Sequence, residues 1–528
     1  MRSKGFVNTF LLSIVLLTDL VGSVISLMIH YPRGNPTKTM SSETLHQDTP
    51  PVQDTYKWKA LITVALGSMM ATMDASITNI AFPVLTRVFQ ADLTTVVWVT
   101  VAYVLVSTSS MLIIGKIGDL MGRKRIYALG MGIFTLGLLA CSVAQTVGQL
   151  IFFRALQAVG AAMTVSTSTA IVTEAFPKNE VGKGIGFLGM SVSVGFIIGP
   201  ILGGFLLDWL DWRSIFWVRA PVGLGGFLLA FLLLKRDRTR KGGIKLDLMG
   251  TLTSSAGIFL FVFGVSQIRD YGLTSPRVHL IVGLGLVLLI LFVLVERQAR
   301  DPIVDLSLFK NRVFSSAMWA LFLTFVGATP YILMMPFYLM QGRNMSPSQA
   351  GMLMAVTSMV AMVVGPLSGS LSDRFGPFRF SAIGAGAIGA AYGLMFTFEV
   401  ETPLTVIVPV LIILGIGIGS FHPPNNSIIM GSVSRDHLGT ASALIATQRQ
   451  VGIAVGMAVT GTFFSARMVL HQSLLQLKGH TEASAVSLSV PSAFHDVLFL
   501  AVALQGIVFM LCFVRGGWSG KKQSGSRT

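Results

Sequence analysis

The sequence predicts an all-α polytopic membrane protein made of two repeated halves, and three observations carry that expectation. The 528-residue chain is 52% hydrophobic and only 12% charged, about half the charged fraction of an ordinary soluble protein. Apolar runs of about 20 residues, the length a helix needs to cross a bilayer, recur along nearly the whole chain. Finally, GKIGDLMGRKR at 115–125 returns as GSLSDRFGPFR at 369–379. Gly115, Asp119 and Gly122 align with Gly369, Asp373 and Gly376, each 254 residues later.

Fourteen runs qualify as spans: 61–83, 96–114, 126–144, 149–173, 184–207, 214–234, 248–267, 278–295, 314–338, 350–371, 380–398, 404–424, 438–464 and 494–514. With the repeat loop following the second span of each half, they divide as six, two inserted, and six. The resulting domains are an N-terminal extension (1–56), a six-helix bundle (57–234), two inserted helices with basic flanks (235–312), a second six-helix bundle (313–515) and a basic tail (516–528). Lys and Arg number 25 in the loops and ends on the side of the 115–125 loop and 8 on the other. Positive charge marks the cytoplasmic side, so both ends of the fourteen-span body face inward. The net charge of +16 is thus a topological signal, and the partner it implies is the lipid bilayer and not a nucleic acid. Residues 6–29 form a further apolar stretch. As a span it would put Arg2 and Lys4 outside and Asp19 near mid-membrane. It therefore reads as a signal-like or interfacial segment, or as the product of an upstream start with Met40 the natural beginning.

Cys141 and Cys512 both lie in apolar runs, which argues against a disulfide framework or a metal site. The eight histidines are scattered, which disfavours a membrane-embedded enzyme, and no cofactor is expected. No phosphate-cradling GxxxxGK[ST] sequence occurs either, so energy for transport would come from an ion gradient or the solute itself.

Four segments point to mechanism. In GKIGDLMGRKR, Gly115 and Gly122 allow a tight turn, and Asp119 can pair with Arg123 beside Lys124. Asp373 and Arg374 occupy the second copy, so the two loops read as cytoplasmic latches. In MDASITNIAFP (73–83), Asp74 is an acid inside an apolar span, which is expensive and marks a functional site. It is the candidate proton carrier. LIFFRALQAVGAA (150–162) adds Arg154, whose guanidinium stays charged and can only polarise an acid or hold an anion. In GFIIGPILGG (195–204), Gly195, Gly199 and Gly203 share a face and permit close helix approach. Pro200 there frees the carbonyl of Phe196 and allows a bend.

These segments resemble the major facilitator superfamily, and within it the fourteen-helix drug:proton antiporter branch, over roughly residues 57–515. The loop motif matches at Gly115, Asp119, Gly122, Arg123 and Lys124 and departs at Leu120, where a basic residue is usual. The second copy has Pro377 in place of a basic residue. Gly186, Gly195, Gly199, Pro200, Gly203 and Gly204 match the antiporter motif of the fifth helix in full. Asp74, Asn79, Ala81 and Pro83 match the first-helix motif, and Arg154 with Gln157 matches that of the fourth. WRSIFWVRAPVG (212–223) carries Arg219 where the family has asparagine, which places an extra cation near the outer entrance.

The resemblance implies a major facilitator fold and a monomeric plasma-membrane protein. It implies a proton-coupled antiporter that exports hydrophobic or amphipathic cationic small molecules by alternating access, the activity behind multidrug efflux and antibiotic resistance. Proton coupling would fall to Asp74 and Arg154. Candidate substrate-binding residues are Asn79, Gln157, Tyr331, Tyr338, Gln341, Asn425, Gln448 and Arg449, with methionine-rich spans 9 and 10 adaptable to varied cargo. Export of one metabolite or lipid, and a sensor that binds without transporting, remain as alternatives.

Overall fold

A computed structural model describes residues 52–514, except 178–179, 236–247, 273–274, 299–305, 435–437 and 480. The 6–29 stretch, the tail after 514, most of the 235–245 loop and the side chains of Asp119 and Asp373 lie outside the described residues.

The first bundle comprises α1 (Val52–Val88), α2 (Leu93–Met121), α3 (Arg123–Ser142), α4 (Val147–Ala175), α5 (Val181–Trp209) and α6 (Ala220–Leu233). The inserted pair is α7 (Leu248–Ser266) and α8 (Pro276–Gln298). The second bundle comprises α9 (Arg312–Phe337), α10 (Pro347–Phe375), α11 (Pro377–Leu394), α12 (Leu404–Gly431), α13 (Leu438–Leu477) and α14 (Glu482–Val514). Twelve helical segments are long and apolar enough to cross a membrane, and two shorter apolar ones, Thr95–Met111 and Leu252–Val265, fall in α2 and α7. The fold is the expected 6+2+6 arrangement of two pseudo-symmetric bundles.

The repeat is visible in the backbone. A single residue joins α2 to α3 and another joins α10 to α11: Gly122 with φ +102° and Gly376 with φ +93°. Side-chain-bearing residues rarely adopt such a backbone. Corresponding helix pairs also pack alike: Gly160 of α4 lies against the backbone of Phe134 in α3, and Gly384 of α11 against that of Phe421 in α12.

The inserted pair is peripheral. Gly285 lets α8 approach the Phe261 backbone of α7, while Leu280, Val287, Ile290 and Leu294 are exposed on the outer face. Inward, α7 rests on α2, where Ser255 Oγ donates to the Ser109 carbonyl (2.5 Å) and Phe263 meets Trp98 at 5.6 Å.

Helix α5 is the seam of the molecule. It runs unbroken through Pro200, and its glycines serve contact on two sides. A Cβ at Gly195, Gly199 or Gly203 would strike Thr72, Ser76 or Ile77 of α1. Ser76 Oγ also donates to the Gly195 carbonyl at 3.3 Å. Toward the other bundle, Gly351 of α10 lies on the Pro200 carbonyl, and Gly204 lies on Pro347 and Ser348. The Asp208 carboxylate then accepts the Ser348 N–H at 3.0 Å, satisfying a donor at the start of α10 that has no partner within its helix. The opposite half of α5 keeps one face on its own bundle, where Gly184 lies on Val172 and Phe176 and Leu188 is buried, while Gly186 and Gly189 have nothing within 4 Å and Ile185 and Met190 are exposed. The bundles meet along α5 and α10 at the end away from the 115–125 loop, and again along α2 and α13, where Gly461 faces Val97 and Gln450 Nε2 donates to Ser107 Oγ at 3.5 Å. Gly186 takes no part in that packing.

Gly376→Ala should cost about 1–3 kcal/mol, read as a lower midpoint in thermal unfolding of the detergent-solubilised protein. Gly115→Ala, at a helical position with open space around it, should leave the midpoint unchanged or raise it. Equal midpoints for the two variants would remove the backbone argument for the repeat.

Candidate functional site

The first bundle closes over one ionic cluster. Asp74 of α1 and Arg154 of α4 are fully buried, and Arg219 is 1% exposed. Arg154 Nη1 donates to Asp74 Oδ2 (2.5 Å), and Arg219 Nη1 donates to Asp74 Oδ1 (2.6 Å). Gln157 Nε2 also donates to Oδ1 (3.0 Å), while its own Oε1 accepts from Arg154 Nη1 (2.8 Å).

Local structure aims each group. Arg154 and Gln157 stand three residues apart, on one face of α4. From α2, the Val99 carbonyl accepts Arg154 Nε at 3.2 Å. The Tyr103 ring lies 4.2 Å from the guanidinium carbon, within cation–π range. Arg219 sits between a one-turn helix, Ser214–Trp217, and α6. Its Nε donates back to the Ile215 carbonyl (2.5 Å), which turns the guanidinium into the bundle. Thr78 Oγ1 holds the Asp74 carbonyl at 2.8 Å.

Two guanidinium groups share one carboxylate, so the cluster carries one excess positive charge when Asp74 is ionised. The Nη2 atoms of both arginines are buried without a hydrogen-bond partner. Asp74 is thus the shared counter-charge of both arginines. Sequence reasoning placed Arg219 near the outer entrance, and the structure corrects this by burying it in the cluster. A signal was available: the residue departs from the resembled motif amid apolar neighbours such as Ile215, Phe216 and Ala220.

The remaining expected residues do not converge on this cluster. Asn79 is half-buried further along α1, and its Oδ1 has no partner. Tyr331 OH pairs with Thr357 Oγ1 of α10 at 3.0 Å. Tyr338 stacks with Phe398 and Phe494 and donates to the Glu399 carbonyl (2.8 Å). Asn425 is fully buried and donates to the Ala317 carbonyl at 3.2 Å. In this structure the polar atoms of all three are therefore engaged within the second bundle. Gln341 is half-buried in a π-helical turn, Tyr338–Gly342. Gln448 and Arg449 are half-buried on α13, where Arg449 acts electrostatically on His422 of α12. In the loop, Arg123 pairs with Glu174 of α4 at 2.8 Å, and Lys124 donates to the Leu234 carbonyl. Arg374 is exposed. For the latch carboxylates Asp119 and Asp373, only the backbone is described.

Comparison with known proteins places this architecture. The family model described as "Major Facilitator Superfamily" matches residues 64–457. The chain belongs to the major facilitator superfamily. It is 33% identical over 438 residues to "Riboflavin transporter RibZ" of Clostridioides difficile (strain 630), covering 82% of this chain and 92% of that protein. It is 31% identical to "Multidrug resistance protein Stp" of Mycobacterium tuberculosis, covering 77% and 75%. It is also 31% identical to "Puromycin resistance protein pur8" of Streptomyces alboniger, covering 78% and 82%. These relatives accord with the drug:proton antiporter branch, and the superfamily is one of transporters and not of enzymes. Among solved structures, a bacterial homologue of the human lysosomal transporter Spinster shares the fold with TM-score 0.62 at 19% identity, covering 87% of this chain and 97% of that one.

Asp74→Asn should strand two buried guanidiniums and cost about 3–5 kcal/mol, lowering the thermal midpoint. Adding Arg219→Asn to it should recover part of that loss. A double variant no more stable than Asp74→Asn alone would show that Arg219 is not electrostatically tied to Asp74.

Proposed function

We propose that this superfamily member is a proton-coupled antiporter that exports hydrophobic or amphipathic small molecules by alternating access. The observation that carries the reading is Asp74, a buried acid held only by groups on neighbouring helices. Its release would loosen α1 from α4 and α6 together. Substrate binds while Asp74 is ionised; protonation from the other side then drives the return. Arg154 stays charged and is the group from which the carboxylate parts. One proton crossing about 150 mV releases roughly 3.5 kcal/mol, which sustains about two to three decades of gradient for a neutral solute.

Alternating access finds support in the seam. The bundles are locked at one end through Gly204, Gly351 and Asp208, while the other half of α5 exposes Ile185 and Met190. The named resistance proteins among the relatives support export. The 25-to-8 bias of basic residues supports a cell-membrane protein with both ends of its fourteen-span body inside, working as a monomer with small molecules and protons as partners. A second reading, transport of one specific metabolite, draws on the riboflavin transporter, which matches 82% of this chain.

In inverted vesicles, a panel of amphipathic fluorescent dyes should include at least one that accumulates until the proton gradient is collapsed. Asp74→Asn should abolish that accumulation while the protein still inserts. Undiminished proton-driven uptake by the variant would remove Asp74 from the mechanism.

A further inference from the structure

Among the described residues, the charges buried in the two bundles do not balance. Arg154 and Arg219 share Asp74, and each keeps an Nη2 without a partner. A third arginine, Arg449, is half-buried on α13 and makes no hydrogen bond or ion pair among the described residues. Three other described acids on the helices are engaged elsewhere. Asp208 receives the Ser348 N–H, Asp496 binds Arg467 and His471, and Glu296 is buried near the end of peripheral α8 and has an interaction of its own. Charge kept inside an apolar body without a counter-charge is costly.

The surroundings of Arg449 show what could supply that counter-charge. Gly452, three residues on from Arg449 along α13, lies against Phe325 of α9, whose ring is 5.0 Å from that of His422 of α12, with 31° between the planes. One turn along α12, Asn426 has a buried Oδ1 with no partner. The second bundle therefore presents an unclaimed cation, a pair of close, tilted rings and an unsatisfied amide oxygen on three neighbouring helices. A guanidinium fork fits a planar carboxylate through two parallel hydrogen bonds. The rings offer an apolar face to the body of the same molecule, and the amide oxygen can accept from an N–H or O–H on it.

We infer that the cargo is an amphipathic, ring-bearing monocarboxylate and that Arg449 anchors its carboxylate. The inference rests on the export reading and names its substrate class. It replaces the cationic cargo implied by the family resemblance, because a cation would add to an excess that the interior already carries. It also fits the energetics of exchange, since a proton entering and a monoanion leaving both move with the membrane potential.

The test uses two dyes, dansylglycine and dansylglycinamide, which differ only in carboxylate against amide. They are titrated by dansyl emission into the purified full chain in detergent. The acid should bind about tenfold or more tightly than the amide, the range expected for a charge-assisted hydrogen bond. Arg449→Gln should abolish that preference, and Arg449→Lys should keep part of it. Equal affinities in the unaltered protein, or a preference that survives in Arg449→Gln, overturns the assignment. The wild-type comparison decides the matter even if Arg449→Gln does not fold. Replacing gluconate by chloride in the buffer separates the sources of the anion. If chloride at equal ionic strength removes the preference for the acid, the seat holds an inorganic ion and the cargo assignment falls. Equal binding of both dyes leaves export itself standing, whereas binding of neither counts against small-molecule transport and against this inference with it.

Discussion

One carboxylate between two guanidiniums is the constraint around which the first bundle is built. Asp74 reaches into a space that α2, α3, α4 and the approach to α6 all border, and its contacts lock the first helix to the fourth and the sixth. Such an arrangement survives in an apolar body only while each charge keeps a partner. A loss on one side is felt across the bundle, because no water is at hand to take over the vacated hydrogen bonds. This one acid therefore organises a whole set of contacts and not a single bond.

The seam along α5 joins this cluster to the rest of the molecule. Glycines on one face bring α5 against α1, the helix that carries Asp74. The residues around Pro200 bring the same helix against α10 of the other bundle. The helix that touches the acid-bearing element is thus the one that crosses between bundles. A change in how α1 sits is transmitted to the seam through close backbone contact, with little side-chain slack to absorb it.

Much of this was legible in the sequence. The span count came from length and hydropathy, which a bilayer enforces strictly. The single-glycine turns came from matched glycines 254 positions apart. Asp74, Arg154 and Gln157 were legible because polar groups in apolar runs stand out. Arg219 was placed wrongly because sequence position puts it beside a loop, and only the turn after Trp217 directs its guanidinium inward. The partners of Tyr331, Tyr338 and Asn425 were not legible: each side chain bonds to a residue between 26 and 108 positions away, a pairing invisible in a linear chain.

The hinges at Gly122 and Gly376 carry a mechanical corollary. With one residue as the whole linker, α2 and α3 have no slack between them, and neither do α10 and α11. The angle between the two arms is set at one backbone position, so a residue inserted there would redirect the helix that follows and displace it from its packing partner.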